Sequence, residues 1–571
     1  MPIDHTHINP ATTVNIVQHE QTLSPVPLAQ SLTWENWSGN NQFTPDASDG
    51  LYYFTPDNLE QLQQIIKEAA NKGKKIRVSG QRHSITPLVI NNNSDISTTH
   101  GNTWVIDLAC YSDLGADGNS NIVLDRDNDI VTVNSGVSET DLDAFLSAHN
   151  YRLNTVTAGG FFSLGGMTAV DVHGSAVNAS IFADSVIAYS VINDDGVNKT
   201  YDIDSPDFQG ISPLQFFRTS LGTLGVVSSV TLKISPRAYK NTLVPSHESY
   251  SIDSKKDFVD YYKNLLFSGK YDSVESFYNP YGKTNNFLAL LWRIDPDPKT
   301  PIINKDANDS DDAIIYTHVN EACDKAQKRA WGAPILPLWE EKLSEMIGIY
   351  TQNNKQPYFG KLAIDTAMET VKSKMKKVIS NNDALWLDQA ERVVFSSYFI
   401  PLPDDTTKAM ETAWDALKVI SNQLQNDHNF VAVLPPEFRF VRGSDALLSG
   451  TYSNDKTKLF ISIEILALVQ KGSVAQYPQN VLDYFANIEH KWVAMGGFPH
   501  HGKMYGFYNP DDAVDGQAVK GVTPFNSAYI KMWKKRKANE LALFSRYQKQ
   551  LDPNGLFCNR YTNLLGLCSE S

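Results

Sequence analysis

Glu437 and Arg439 stand two positions apart in Pro435-Pro-Glu-Phe-Arg-Phe-Val441, a stretch that alternates like a strand. Successive strand side chains point to opposite faces, so Glu437, Arg439 and Val441 share one face while Phe438 and Phe440 share the other. A carboxylate and a guanidinium converging on one ligand can take or share a proton and stabilise a developing oxyanion. The same spacing also describes a neighbouring ion pair on an exposed face. Lys503, at the end of Pro499-His-His-Gly-Lys503, offers a second cation.

A different chemistry is offered by Lys75-Ile-Arg-Val-Ser-Gly-Gln-Arg-His-Ser84, where a strand-like run opens into Gly80 and the nucleophilic imidazole of His83. Either this is a capped loop, or it is an anion cradle of backbone N–H groups around Gly80 and Ser84 with a covalent attachment point beside it. Residues 157–175 pair Gly159 with Gly160 and Gly165 with Gly166, and close on His173-Gly174-Ser175. Paired glycines remove the Cβ atoms that keep backbone amides away from anionic oxygens, which suits a diphosphate; a structural turn is the alternative. Gly222 and Gly225 precede the β-branched run Val226-Val-Ser-Ser-Val-Thr-Leu-Lys233, and the tail carries Leu551-Asp-Pro-Asn-Gly-Leu-Phe-Cys-Asn559.

These pieces need elements to hold them. Thr55-Pro-Asp predicts a helix start, with Thr55 as cap and Pro56 in the first turn, and Leu59, Leu62, Ile65, Ile66, Ala69 and Ala70 recur on one face until Gly73. A strand, Lys74–Val78, follows. Asp129–Asn134 reads as another strand, Ser138 as a cap, and Leu142, Phe145 and Leu146 as a buried stripe, while Asn193-Asp-Asp-Gly-Val197 is a hairpin turn. Helical patterns recur around 342–346, 363–379 and 406–425. The texture changes near residues 235–245, which predicts four segments: an arm over 1–30, a first domain over 31–240, a second over 241–504, and a tail over 505–571 that returns to the first.

The 571 residues carry a formal charge of −14, with no basic run beyond Lys534-Lys-Arg-Lys537, which argues against nucleic-acid or anionic-membrane partners. The most apolar window, Leu459–Val469, is broken by Glu464 and is too short to span a bilayer. No basic segment followed by an apolar core opens the chain, so the expectation is a soluble, cytoplasmic protein. Cys110, Cys323, Cys558 and Cys568 are widely spaced and predict neither a zinc site nor a disulfide framework. No GxGxxG follows the early strands. Gly497–Met504 fits GxxxxGK but puts Met504 where Mg²⁺ chemistry needs Ser or Thr, and the acidic run Asp306–Asp312 lacks the central Gly and terminal Glu of a calcium loop.

In order and spacing, the loop at His83, the two glycine segments and the tail motif resemble the flavin domain of the vanillyl-alcohol oxidase and p-cresol methylhydroxylase (PCMH) family, over residues 30–235 and the tail. The resemblance implies an α+β protein: a two-lobed PCMH-type FAD-binding domain, plus a substrate (cap) domain with an antiparallel sheet flanked by helices. It implies FAD joined through an 8α-histidyl bond to His83. The implied cofactor-binding residues are Ser79, Gly80, Gln81, Arg82, His83, Ser84, Gly159, Gly160, Ser163, Gly165, Gly166, His173, Gly174, Ser175, Gly222, Gly225, Val226 and Asn559.

Within the family, Glu437-Phe-Arg439-Phe440 followed by His500-His501-Gly502-Lys503 is similar to the sugar-lactone and alditol oxidase signature, with His501 where those enzymes carry Trp. That departure puts the substrate's stacking surface in question. The implied activity is oxidation of a polyol, sugar lactone or related alcohol: hydride passes to flavin N5, and O₂, admitted past Gly165 and Gly166, is reduced to H₂O₂. Glu437 would orient or deprotonate substrate, Arg439 stabilise negative charge and Lys503 bind hydroxyls. The competing readings are a sterol or other bulky-alcohol oxidase, a dehydrogenase with a non-oxygen acceptor, and a flavin-binding protein without turnover.

Overall fold

The computed structural model describes residues 34–43, 52–91, 102–116, 118–236, 243–294, 323, 339–353, 356–375, 393–426, 429–470 and 472–568. The acidic run Asp306–Asp312 lies outside the described residues. The architecture is α+β, and three sheets carry the site.

The first sheet is parallel: β1 (Tyr53–Phe54), β2 (Lys75–Val78) and β3 (Thr103–Ile106) lie in the order β1-β3-β2. The crossover helix Leu59–Asn71 buries Leu62, Ile65, Ile66 and Ala69, as its periodicity predicts. Its cap is not Thr55 but Asn58, whose extended backbone lets the carboxamide accept from the Gln61 N–H; Asn is the stronger cap, so the helix begins later than the Thr-Pro pair suggests.

The second sheet is antiparallel. Its strands β4 (Ile122–Asp125), β5 (Ile130–Asn134), β6 (Val186–Ile192), β7 (Asn198–Asp202) and β8 (Val226–Lys233) run in the order β7-β6-β8-β5-β4. The β6–β7 turn is the expected hairpin, with Asn193 Oδ1 accepting from Val197 N–H at 2.9 Å. Ser138 caps the helix Glu139–Ala148, accepting from Asp141 N–H at 3.1 Å.

The third sheet has seven strands: β9 (Leu243–Tyr250), β10 (Tyr271–Tyr278), β11 (Phe287–Ile294), β12 (Val394–Pro401), β13 (Glu437–Arg442), β14 (Leu459–Ala467) and β15 (Phe498–Pro499), in the order β9-β11-β10-β13-β14-β12-β15. Alternation splits it into two faces. Phe438 and Phe440 pack on Tyr262 of the helix Lys255–Phe267 at 5.4 and 5.9 Å between ring centroids, and Tyr398 on Trp492 of the helix Gln479–Ala494 at 5.8 Å. The opposite face carries the polar side chains of β10, β13, β14 and β12. The expected helices at 342–346 and 406–425 fall within Trp339–Asn353 and Thr406–Asn426, and the one at 363–379 within Pro357–Met375 as far as it is described.

Around residues 554–557 the chain packs back on the first sheet. Ile76 N–H donates to Leu556 O at 2.8 Å. Arg77, 4% exposed, donates to the carbonyls of Leu88 and Phe557, each at 2.6 Å, and of Leu221 at 2.6 Å and Gly222 at 3.0 Å. One guanidinium thus ties β2, the Gly222 turn and the tail together, at the cost of burial that pulls it down to about 10.

The cysteine expectation is corrected. Cys110 pairs with Cys323 across 213 residues, and Cys558 with Cys568 across 10. Spacing could not indicate the first bridge, because only tertiary packing brings its halves together. Among the described residues, no helix is long and apolar enough to cross a membrane.

Candidate active site

The loop after β2 is anchored before it is functional. Ser79 N–H donates to Ile106 O at 2.8 Å, extending the β2–β3 pairing, and Trp34 Nε1 donates to Ser79 Oγ at 3.3 Å. Arg82 takes the left-handed region at φ 63°, and its guanidinium lies over Trp34 and Tyr53, 5.3 and 5.5 Å from their ring centroids. That turn leaves His83 on the wall of a cavity of about 310 Å³, its ring stacked on Trp37 at 5.1 Å and beside Phe161 and Phe162 at 4.9 and 5.0 Å. Ile85 N–H donates to Gly502 O at 2.9 Å, so the loop is held directly against the segment that carries Lys503.

All of Ser79–Ser84 line this cavity, and so do Gly159, Ser163, Gly165, Gly166, His173, Gly222 and Gly225. A Cβ on Gly80 would lie 2.1 Å from Ser163 Oγ, and one on Gly165 2.8 Å from Ser135 Cβ, so glycine at these positions lets the Ser163 loop lie close against both the first loop and the end of β5. Gly160, Gly174, Ser175, Val226 and Asn559, also expected to hold the cofactor, do not line this cavity. Gly160 N–H donates to Thr157 Oγ1 at 3.0 Å, and Ser175 O accepts from Val274 N–H at 2.9 Å. A Cβ on Gly174 would lie 2.1 Å from Val156 O. Val226 is buried in the β6–β8 pairing opposite Ile192, and Asn559 Nδ2 donates to Leu88 O at 3.0 Å.

The opposite wall is charged. In register, Glu275 on β10, Arg439 on β13 and Ser462 on β14 form one row, and Phe277, Glu437, Glu464 and Ser397 the next. Arg439 Nη2 pairs with Glu437 and with Glu275 Oε1, the latter at 3.2 Å, while Nη1 donates to His173 O at 3.3 Å. Lys503 Nζ lies 3.7 Å from Glu464 Oε1 and 3.9 Å above the Phe395 ring. Burial pushes the Glu437 carboxyl up to about 8; Arg439 opposes this, and the Glu275 and Glu464 carboxylates reinforce it. Burial, then Arg439, pulls His173 down to about 4, and its Nε2 meets Ser462 Oγ at 3.0 Å.

Glu437, Arg439 and Lys503, separated by as many as 66 positions, thus line the same cavity as His83. His501 does not. Its Nε2 meets Leu448 O at 2.9 Å and its ring stands edge-on to Trp533 at 5.5 Å, so the residue in the place of the family's Trp is a buried packing group. His500 lines the cavity instead, stacked on Phe399 at 5.8 Å. Sequence reading missed Glu275, Glu464, His500 and the tying role of Arg77. Glu464 had a signal, as the lone charge in an otherwise apolar strand; Glu275 had none, because only strand pairing sets it beside Arg439.

Residues 51–200 match the FAD binding domain family, and residues 363–565 the D-arabinono-1,4-lactone oxidase family. L-Gulonolactone oxidase of Mus musculus is 23% identical over 543 residues, 93% of this chain and 98% of the relative. L-Gulono-1,4-lactone dehydrogenase of Mycobacterium tuberculosis is 20% identical over 541 residues, again 93% and 98%. The crystal structure of cholesterol oxidase from B. sterolicum shares the fold, with a TM-score of 0.62 at 13% identity over 94% of this chain and 96% of that one. The residues present fit an FAD: Gly80, Gly159, Gly165, Gly166, Gly222 and Gly225 line the cavity together with His83 and a charged cluster. Its two family matches, its lactone-oxidase relatives and its shared fold support the PCMH-type family of FAD-linked oxidases for this chain.

Proposed function

We propose that this chain is an FAD-dependent oxidase that converts the CH–OH group of a polyol, sugar lactone or related alcohol to a carbonyl and passes the electrons to O₂, giving H₂O₂. The observation that carries this reading is the convergence of Glu437, Arg439 and Lys503 on the cavity that His83 lines. FAD, when bound, supplies the two-electron acceptor for the hydride that leaves the carbinol carbon.

The protein's own groups handle the proton and the charge. Glu437, in its ionised form, takes the hydroxyl proton on a carboxylate oxygen; a base held near 8 is matched to mildly alkaline operation. Arg439, fixed through Nη2 by Glu437 and Glu275, stabilises the oxygen as its proton departs. Lys503 binds a substrate hydroxyl. His83, stacked on Trp37, is our candidate for the 8α-histidyl link to FAD. Gly166, on the cavity wall, leaves room for oxygen; Gly165 is small because Ser135 stands against it.

The polar cluster on the cavity wall, Glu437, Glu464, Arg439 and Lys503, favours a hydroxyl-rich substrate over a sterol. The domain division we propose is 31–240 for FAD, 241–504 for substrate and 505–571 as the returning tail. Two disulfides favour an oxidising compartment in place of the cytoplasmic location expected from the sequence.

The test is an alcohol panel coupled to peroxide detection, with stopped-flow reoxidation in air-saturated buffer. Turnover of polyols or lactones with prompt reoxidation is the expected result. Sluggish reoxidation would assign another acceptor, as the name of the Mycobacterium tuberculosis relative suggests, and turnover of sterols alone would overturn the substrate class.

A further inference from the structure

Resting on the function proposed above, we infer that Glu464 is a specificity-determining residue: together with Lys503 it grips a second hydroxyl, on a carbon next to the one oxidised, and selects neutral polyhydroxylated substrates against their carboxylate-bearing counterparts.

The strand that carries Glu464 is otherwise built for burial. Ile461, Ile463 and Ile465 are at most 1% exposed on its helix-facing side. On the cavity-facing side Glu464 follows Phe460 and Ser462 by alternation. A carboxylate in such a strand carries a desolvation cost that an apolar residue would avoid, so its placement calls for a partner.

Lys503 is that partner, and the pair is loose. At 3.7 Å the contact lies within ion-pair range but beyond hydrogen-bond length. The ammonium has three donors and also lies 3.9 Å from the Phe395 ring centroid. A carboxylate that only accepts and an ammonium that only donates, set this far apart on a cavity wall, match a group that does both. A hydroxyl accepts from Lys503 and donates to Glu464 at once. A substrate carboxylate, with no proton to donate, would meet Glu464 as a like charge.

Register sets where that hydroxyl lies. Glu464 is directly opposite Glu437, and residues so paired hold their Cβ atoms about 5 Å apart. The hydroxyl losing its proton at Glu437 and the one held at Glu464 therefore belong to neighbouring carbons of one chain or ring. Glu275, buried behind the wall against Arg439, offsets part of that guanidinium's positive charge and so weakens its pull on an anionic substrate.

The experiment compares the FAD-loaded wild-type protein with Glu464→Gln, which keeps shape and removes charge, and with Glu464→Thr as a second variant should Gln fold poorly. Three ligand sets are used: a vicinal polyol or lactone, its analogue lacking the neighbouring hydroxyl, and the corresponding sugar acid. Kinetics are paired with anaerobic titrations that follow the flavin absorption, so that binding is read without turnover. Wild type is expected to favour the vicinal diol over the deoxy analogue by about tenfold to a hundredfold, the scale of a hydrogen bond to a charged group. In Glu464→Gln that preference should shrink to a few-fold, through KM and dissociation constant more than kcat, and sugar acids should begin to bind. Unchanged discrimination in a variant that keeps its FAD overturns the assignment alone. A wild-type protein that binds FAD yet turns over none of the alcohols overturns the functional reading, and this inference with it.

Discussion

Glu437 and Glu464 stand directly opposite each other on adjacent strands, two carboxylates on one cavity wall with Arg439 and Lys503 beside them. Burial first, and then the neighbouring carboxylates against Arg439, keep Glu437 protonated until about pH 8. Substrate-driven flavin reduction should therefore rise with pH through about 8. Removing a like charge by Glu464→Gln or Glu275→Gln should move that limb to lower pH. Stopped-flow reduction across the neutral and alkaline range measures both, and a flat profile would remove Glu437 as the base.

Arg439→Ala should slow flavin reduction at least about a hundredfold, the scale for a lost electrostatic group at a developing charge. It should also lower stability by about 3–5 kcal/mol, because Glu275, 1% exposed, would keep its burial and lose its cation. Near-normal single-turnover reduction would rule out the catalytic role whatever the melting curve showed.

His83→Ala should yield protein whose yellow colour separates from the polypeptide on acid denaturation, whereas wild type keeps it. A variant that retained the protein-bound chromophore would place the link elsewhere.

Glu489, 1% exposed, accepts from Gly506 and Phe507 N–H groups, each at 2.6 Å, and from Tyr398, which also meets Tyr529 at 2.6 Å. Burial pushes its carboxyl from 4.5 up to about 7, and Glu139 beneath the Thr157 loop shifts likewise to about 7. A raised folded-state value means that the unfolded chain releases its proton first. The stability each group contributes is full below pH 4.5 and is lost as pH rises through 7. Glu489→Gln should flatten part of the decline in Tm with rising pH; an unaltered slope would show that Glu489 does not titrate there.

Thiol titration of the denatured protein should find no reactive group at any of the four cysteines. Cys558→Ala should cost about 2–4 kcal/mol by freeing the tail that holds Asn559 against Leu88. Free thiol at Cys558 and Cys568 in the native protein would contradict the bridge.

Much of this could be read along the chain because it is local. The buried stripe of the helix Leu59–Asn71, the Ser138 cap and the Asn193–Val197 turn depend on residues a few positions apart. So does the sharing of one strand face by Glu437 and Arg439, which alternation alone dictates. What tertiary structure decided is everything that crosses strands or closes long loops. Strand pairing put Glu275 and Glu464 beside the recognised pair, and a backbone turn sent His500 into the cavity and His501 into the core. Packing across 213 residues joined Cys110 to Cys323. Such contacts follow from register and from the burial of sheet faces, which a linear sequence specifies only through the whole fold.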